Sequence, residues 1–88
     1  MNAMMKETLE YFDNEGKVVK KKSHSLGMVE YEDIFRKACD EFEEKRKRAN
    51  IGRMNVVERV VDEARKVVIE VKMVLAFEYN QRWTYELV

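Results

Sequence analysis

The chain lacks proline altogether and holds only three glycines, one cysteine and one histidine among its 88 residues. One cysteine excludes an internal disulfide, and one cysteine with one histidine cannot complete a closed zinc site within a single chain. The glycines are isolated, so they do not form the glycine-rich loop that cradles a nucleotide phosphate. We therefore expect no metal and no cofactor.

Long apolar runs are also missing from the sequence. The longest covers residues 73–77, whereas a helix needs roughly 20 apolar residues to span a bilayer. The first ten residues lack the apolar core of a signal peptide, and a lone cysteine is typical of proteins from a reducing compartment. We expect a single cytoplasmic domain over residues 1–88 with no membrane partner.

Neither sign of charge is in excess, because 17 Lys and Arg residues balance 17 Asp and Glu residues. The charges are nevertheless grouped, with four lysines and no acid in residues 17–22 and five basic residues and no acid in residues 45–53. If the fold brought these blocks together, they would attract phosphates. A nucleic-acid or nucleotide-binding module is therefore an alternative hypothesis. Its candidate contact residues are Lys20, Lys21, Lys22, Lys45, Arg46, Lys47 and Arg48.

The run TLEYFD-NEG-KVVKKK predicts an N-terminal β-hairpin. Residues 14–16 fit a three-residue loop in which Gly16 takes the left-handed conformation as a bulge. This loop pairs Phe12 with Val18 and Tyr11 with Val19, and it places Glu10 opposite Lys20. Neither face of the hairpin is purely apolar, so we expect it at an edge of a sheet.

Two helices are predicted next, from about Val29 to Ala49 and from about Val56 to Lys66, with Ser23–Gly27 as the loop before them. In the first helix, acids lie four residues before bases, as in Glu41 and Lys45, which stabilises an exposed helix face. Apolar residues in each helix recur with the i, i+3, i+4 spacing of a buried stripe. The stripe of the first helix comprises Tyr31, Ile34, Phe35, Ala38, Phe42 and Ala49.

Residues 67–79 alternate between apolar and mostly charged positions, which predicts a half-buried strand. The alternative is a second helix that continues to about residue 80. A loop at residues 80–82 would pair Tyr79 with Trp83 and Phe77 with Tyr85. The predicted fold class is therefore α+β, in the order β-β-α-α-β-β, with two helices packed on one face of an antiparallel sheet.

No constellation in the sequence indicates catalysis. His24 stands between two serines, but adjacent residues rarely present their side chains to one another, so we interpret it as a solvated loop histidine. Cys39 is expected to be a small buried hydrophobe. The acids of the first helix are accounted for by neighbouring bases; they are Asp40, Glu41, Glu43 and Glu44. We predict that the chain is not an enzyme.

Aromatic residues and one arginine near the C-terminus form the candidate partner interface or self-interface. Such residues are typical anchors of protein interfaces, and with Arg82 they could also stack on a base. They are Phe77, Tyr79, Arg82, Trp83 and Tyr85. The leading hypothesis is a small non-enzymatic interaction protein that docks on a protein partner or on a second copy of itself. A compact chain without motifs is typical of small regulators and inhibitors encoded by viruses and mobile elements.

Overall fold

The computed structural model describes residues 2–48, 55–63, 65–73 and 79–88. In chain order the elements are β1 (Asn2–Phe12), β2 (Val18–Glu30), a 3₁₀ turn (Tyr31–Asp33), α1 (Ile34–Arg48), β3 (Asn55–Glu63), β4 (Lys66–Met73) and β5 (Asn80–Leu87). The strands form one antiparallel sheet in the order β2-β1-β5-β4-β3. Helix α1 packs on one side of the sheet, which we call the covered face. The other side is the open face.

The N-terminal hairpin forms at the predicted turn, but its register is wrong beyond Phe12. A register shift between Tyr11 and Phe12 pairs Tyr11 with Lys20 and Glu10 with Lys21. Gly16 has a φ of 84°, in the left-handed region that a residue without a Cβ adopts cheaply. The Asp13 backbone N–H donates to the Lys17 carbonyl at 3.0 Å, and the Asp13 carboxylate accepts two loop N–H groups at 2.9 Å each. Phe12 pairs with Val18. The hairpin places β2 at the edge of the sheet and β1 inside it.

The predicted loop at Ser23–Gly27 is instead part of β2. β1 continues beside it, so this stretch stays paired on one side. A register shift there leaves Leu26 as an extra residue, and Gly27 takes a φ of 93°. A bulge of this kind lets a strand carry on through a turn-like sequence. The helix therefore begins at Ile34, after the 3₁₀ turn, and not at Val29.

The predicted fold class, with two helices on the sheet, is wrong. Residues 56–63, expected in the second helix, belong to β3. The described residues form mainly an antiparallel sheet of five strands with one α-helix, in the order β-β-α-β-β-β. The valines that suggested a helical stripe are β-branched and favour a strand where a neighbour can pair. β4 supplies that neighbour.

Residues 67–73 of the predicted strand 67–79 belong to β4, so the alternative of a helix continuing to residue 80 is wrong. Residues 74–78 of that prediction lie outside the described residues. The register of the last hairpin also differs from the prediction. Trp83 pairs with Ile69, and Tyr85 pairs with Val67; Phe77 lies outside the described residues. The shift is by an even number of residues, so it leaves the same side chains on the same face.

The core lies between α1 and the covered face. From the helix, Ile34, Ala38 and Phe42 are buried, whereas Phe35 of the predicted stripe is 43% exposed. The rings of Phe42 and Trp83 meet edge to face, with centroids 5.6 Å apart. From the sheet, the buried apolar residues are Met5, Leu9, Val29, Val67, Ile69, Val71, Trp83, Tyr85 and Leu87.

The open face carries two rows of alternating charge that run across the strands. One row aligns Lys21, Glu10, Arg82 and Glu70, and the other aligns Lys6, Glu86, Lys66 and Glu63. Opposite charges on neighbouring strands attract, although each exposed pair contributes little. In the first row, Arg82 Nη1 lies 3.8 Å from Glu10 Oε1. The open face is thus balanced in charge by its own register.

Candidate functional site

A buried carboxylate, that of Glu7, lies in the covered face. The alternation of β1 directs Met5, Glu7 and Leu9 to the same side of the sheet, and the Glu7 side chain is only 2% exposed. Lys45 Nζ donates to its two oxygens at 2.6 and 2.8 Å, and the Tyr85 hydroxyl donates to it at 2.6 Å. A buried charge is costly unless it is paired and hydrogen-bonded. These donors satisfy that requirement.

His24 is a further partner of Glu7. Its Nε2 lies 3.0 Å from Glu7 Oε1, and its side chain is 54% exposed. It is therefore a strand residue held against a buried carboxylate, and not a loop histidine. A carboxylate can orient an imidazole in this way for proton transfer. The flanking serines fall on the open face because neighbouring side chains alternate in a strand, so the serine–histidine pairing suggested by SHS does not form.

Lys45, on α1, connects Glu7 on the sheet to a second carboxylate on the helix. Its ammonium also lies 3.5 Å from Glu41 Oε2, and Lys37 Nζ lies 3.1 Å from Glu41 Oε1. Burial acts to raise the pKa of Glu41, but the two lysines outweigh it and hold that pKa below its usual range. Glu41 therefore stays ionised, and Lys45 bridges two carboxylates.

Tyr85, on β5, is the third hydrogen-bond partner of the network. Burial raises the pKa of its phenol, and the neighbouring Glu7 carboxylate raises it further. A deprotonated phenol would place a second negative charge beside Glu7. Tyr85 therefore acts in this site as a neutral hydrogen-bond donor.

A cavity of about 90 Å³ opens beside this network, between β2 and α1. Leu9 and Trp83 are 5% and 6% exposed and so form its floor. Lys22 and His24 are exposed and stand at its mouth. The full lining is Glu7, Leu9, Lys22, His24, Lys45 and Trp83.

The outer half of β2 forms a basic strip, which we call the basic edge and define as residues 18–25. All eight of these residues are exposed, and within the described residues β2 ends the sheet. The basic edge contains Lys20, Lys21, Lys22 and His24 and no acid. Lys20 and Lys22 lie on the covered side of the strand and Lys21 lies on the open side.

The structure separates the predicted interface residues. Trp83 and Tyr85 are buried under α1, whereas Tyr79 is 50% exposed. Arg82 lies on the open face with its guanidinium 4.6 Å from the centroid of the Phe12 ring. Phe77 lies outside the described residues. β5 is an interior strand paired on both sides, so its backbone is not open to a second copy.

The predicted nucleic-acid contacts are brought together only in part. Lys22 and Lys45 line the same cavity, but Lys45 is bound to carboxylates. Arg46 lies 3.4 Å from Glu43, and the Arg48 side chain lies outside the described residues. Lys47 is exposed. Of the two basic blocks, 20–22 and 45–48, only Lys22 and Lys45 are thus shown to line one site.

Cys39 is partly buried on α1. Burial raises the pKa of its thiol, and Asp40, Asp62 and Glu43 raise it further. This disfavours the reactive thiolate. The acids of the helix do not gather into a group that could hold a metal ion, in the part of the chain that the structure describes.

Sequence reasoning missed Glu7 and the role of His24. One signal was present, because the alternation Met5, Glu7, Leu9, Tyr11 places an acid among apolar residues on one strand face. Such an acid needs a cation that reaches it from another element. The sequence does not say which cation, because Lys45 comes close only through the packing of α1.

No protein-family model matches the chain, and neither the curated proteins nor the solved structures contain a significant match. None of the helices among the described residues is both long and apolar enough to cross a membrane.

Proposed function

We propose that the chain is a non-enzymatic binding protein that docks on a protein partner by accepting an extended acidic segment along the basic edge. Such a protein acts as a regulator or inhibitor by occupying that segment. The observation that carries the proposal is an exposed edge strand with three adjacent lysines and no acid over eight residues. A cytosolic location, which the lone cysteine favours, accompanies the proposal as a prediction.

The backbone of an edge strand supports this mode of binding. An edge strand presents N–H and C=O groups that can pair with an added strand. β-Strand addition takes its affinity from those main-chain hydrogen bonds and its specificity from the side chains. β2 is 13 residues long, so it is long enough to pair with a peptide of eight to ten residues.

Charge supports an acidic segment as the partner. Lys20 and Lys22 lie on one side of the strand and Lys21 lies on the other, so an added strand would meet a cation on both faces. The same lysines disfavour a second copy of β2, because like charges would lie opposite one another. A neutral or basic segment would meet no complementary charge.

The first test uses an alternating glutamate–threonine decapeptide as the probe, in fluorescence anisotropy at low salt. The glutamates of this peptide share one face of the added strand, so they can pair with Lys20 and Lys22 together. Neutralising the basic edge with Lys20→Gln, Lys21→Gln and Lys22→Gln should therefore weaken binding about fivefold, at roughly 0.5 kcal/mol for each exposed ion pair. The matched control removes the same charge from interior strands through Lys6→Gln, Lys66→Gln and Lys72→Gln. Equal losses in both variants would contradict the proposal.

Two N-methylated forms of the peptide test strand addition itself. Alternate N–H groups of an added strand point toward its neighbour. Methylation of one alternate set of amides should abolish binding, and methylation of the other set should leave it intact. If both forms bind, the peptide is held by charge alone.

The nucleic-acid alternative is supported by the approach of Lys22 and Lys45 at one cavity. It is weakened by the carboxylates that already hold Lys45 and Arg46. A single-stranded DNA oligonucleotide in the same assay separates the two functions. Salt-sensitive binding of DNA, lost with the basic edge and without binding of the peptide, would favour the alternative.

A further inference from the structure

The cavity beside the basic edge has an apolar floor and an open, cationic mouth. Leu9 and Trp83 are almost fully buried at its base, and Lys22 and His24 are exposed at its rim. The register sets Lys22, Leu9 and Trp83 side by side on three adjacent strands. The cavity therefore opens next to the strand edge on which the proposed segment would lie.

The polar groups that line the base of the cavity already bind one another, so they offer few free donors or acceptors to a polar ligand. Both oxygens of Glu7 are occupied by Lys45, with Tyr85 and His24 as further partners. A carboxylate inserted tip-first would meet the Glu7 carboxylate and the apolar floor. An apolar side chain would instead contact Leu9 and Trp83 and leave the ion pairs undisturbed.

Size selects among apolar side chains. The cavity measures about 90 Å³, whereas roughly 10–15 Å³ holds one water and a cavity of about 150 Å³ accommodates a benzene ring. The space thus suits an aliphatic side chain better than an aromatic one. The aliphatic stem of Lys22 at the mouth can extend the apolar wall while its ammonium stays in water.

We infer that this cavity receives one aliphatic side chain of the docked acidic segment and so fixes the position of that segment along β2. The inference rests on the proposed function. It specifies the partner as an extended acidic stretch interrupted by a single leucine, isoleucine, valine or methionine. Strand-addition sites use pockets of this kind for side chains that alternate along the added strand.

A leucine scan of the decapeptide tests the inference. Leucine is placed at each position in turn. One position should bind about tenfold more tightly than the parent peptide, because burying a leucine side chain contributes more favourable free energy than its ordering costs. Phenylalanine at that position should give a smaller gain. Equal affinities at every position would overturn the inference.

Trp83 provides a direct readout, because it is the single tryptophan of the chain and it lines the cavity. The leucine-bearing peptide should shift its fluorescence emission, and the parent peptide should bind without that shift. The variant Leu9→Phe, which fills the floor, should remove the leucine gain while the parent peptide binds as before. If Leu9→Phe does not fold, the emission shift in the unmodified protein still decides the matter, and its absence would overturn the inference.

The outcomes for the two proposals are distinguishable. Binding of the parent peptide with a flat leucine scan would reject the cavity as an anchor and leave the basic edge as the docking site. Failure of every peptide to bind would reject the proposed function, and the inference with it.

Discussion

At the residue scale, Glu7 shows how one buried charge organises its surroundings. Lys45, Tyr85 and His24 come from α1, β5 and β2, and all three contact a carboxylate that is 2% exposed. A carboxylate that accepts several donors is held in one orientation. Each donor is in turn fixed by it, so the cavity lined by Lys22, His24 and Lys45 keeps its shape.

The Tyr85 phenol makes stability depend on pH in the alkaline range. Its pKa is raised in the folded state, whereas an unfolded tyrosine ionises near pH 10. Above about pH 10 the unfolded state binds fewer protons, so stability should fall by up to about 1.4 kcal/mol per pH unit. Below about pH 10 the phenol keeps its proton in both the folded and the unfolded state, so the contribution of Tyr85 to stability is fully present.

The variant Tyr85→Phe should lose this extra alkaline slope. At neutral pH it should be less stable by about 1.5–3 kcal/mol, because it lacks a hydrogen bond to a charged group. Urea denaturation at pH 7 measures the loss of stability, and the same measurement at about pH 9, 10 and 11 gives the slope. Tyr79→Phe is the control, since Tyr79 is 50% exposed. If the unmodified protein and Tyr85→Phe have identical slopes above pH 10, this account of the phenol is wrong.

At the scale of elements, the lysines of β2 do more than offer charge to a partner. A long exposed edge with few charges is a template for pairing between identical chains. Val18 and Val19 at the start of the basic edge are 41% and 43% exposed. The three lysines that follow them keep two β2 strands apart.

Replacing those lysines with threonine should therefore cause self-association. The variant Lys20→Thr, Lys21→Thr, Lys22→Thr keeps a strand-forming sequence but removes the repulsion. Light scattering coupled to gel filtration should show a mass that rises with concentration. The control Lys6→Thr, Lys66→Thr, Lys72→Thr removes the same charge and should keep the mass of the unmodified protein. A monomeric edge variant, or equal association of both, would refute the role of these lysines.

The elements that sequence could predict are those whose signals are local. The turn at Gly16, the alternation of β4 and the buried stripe of α1 each depend on residues near one another in the chain. β3 was wrongly predicted as a helix because its valines recur at helical spacing. The strand follows only from pairing with β4, and the register of that pairing shifts between Val57 and Arg59. The Glu7 network could not be predicted in full, because Lys45 lies 38 positions further along the chain.

At the scale of the whole molecule, α1 is the one α-helix that covers a side of the sheet in the part of the chain that the structure describes. Chains this small bury a modest fraction of their surface, so each contact between the two layers matters. Apolar packing of Ile34, Ala38 and Phe42 supplies most of the contact. The Lys45–Glu7 ion pair joins the helix to the sheet. The Lys45 side chain is 26% exposed and the Glu7 side chain is 2% exposed.

Removing one member of this pair should cost far more than removing both. Lys45→Met leaves the Glu7 charge buried without its cation, and such changes destabilise proteins by roughly 3–5 kcal/mol. Replacing both charges in Glu7→Gln with Lys45→Met should recover much of that loss, because Gln can still accept the Tyr85 hydrogen bond and buried ion pairs are often replaceable by neutral groups. Lys47→Met, at an exposed neighbour, should change stability by less than about 0.5 kcal/mol.

Urea denaturation of the unmodified protein, of Glu7→Gln, of Lys45→Met and of the double variant gives the coupling between Glu7 and Lys45 directly. A coupling free energy of about 1 kcal/mol or more would establish that this ion pair stabilises the packing of the helix on the sheet. If the losses simply add, the pair is incidental and apolar packing alone positions α1. The cavity beside the basic edge would then owe its shape to Phe42 and Trp83 and not to the buried charge.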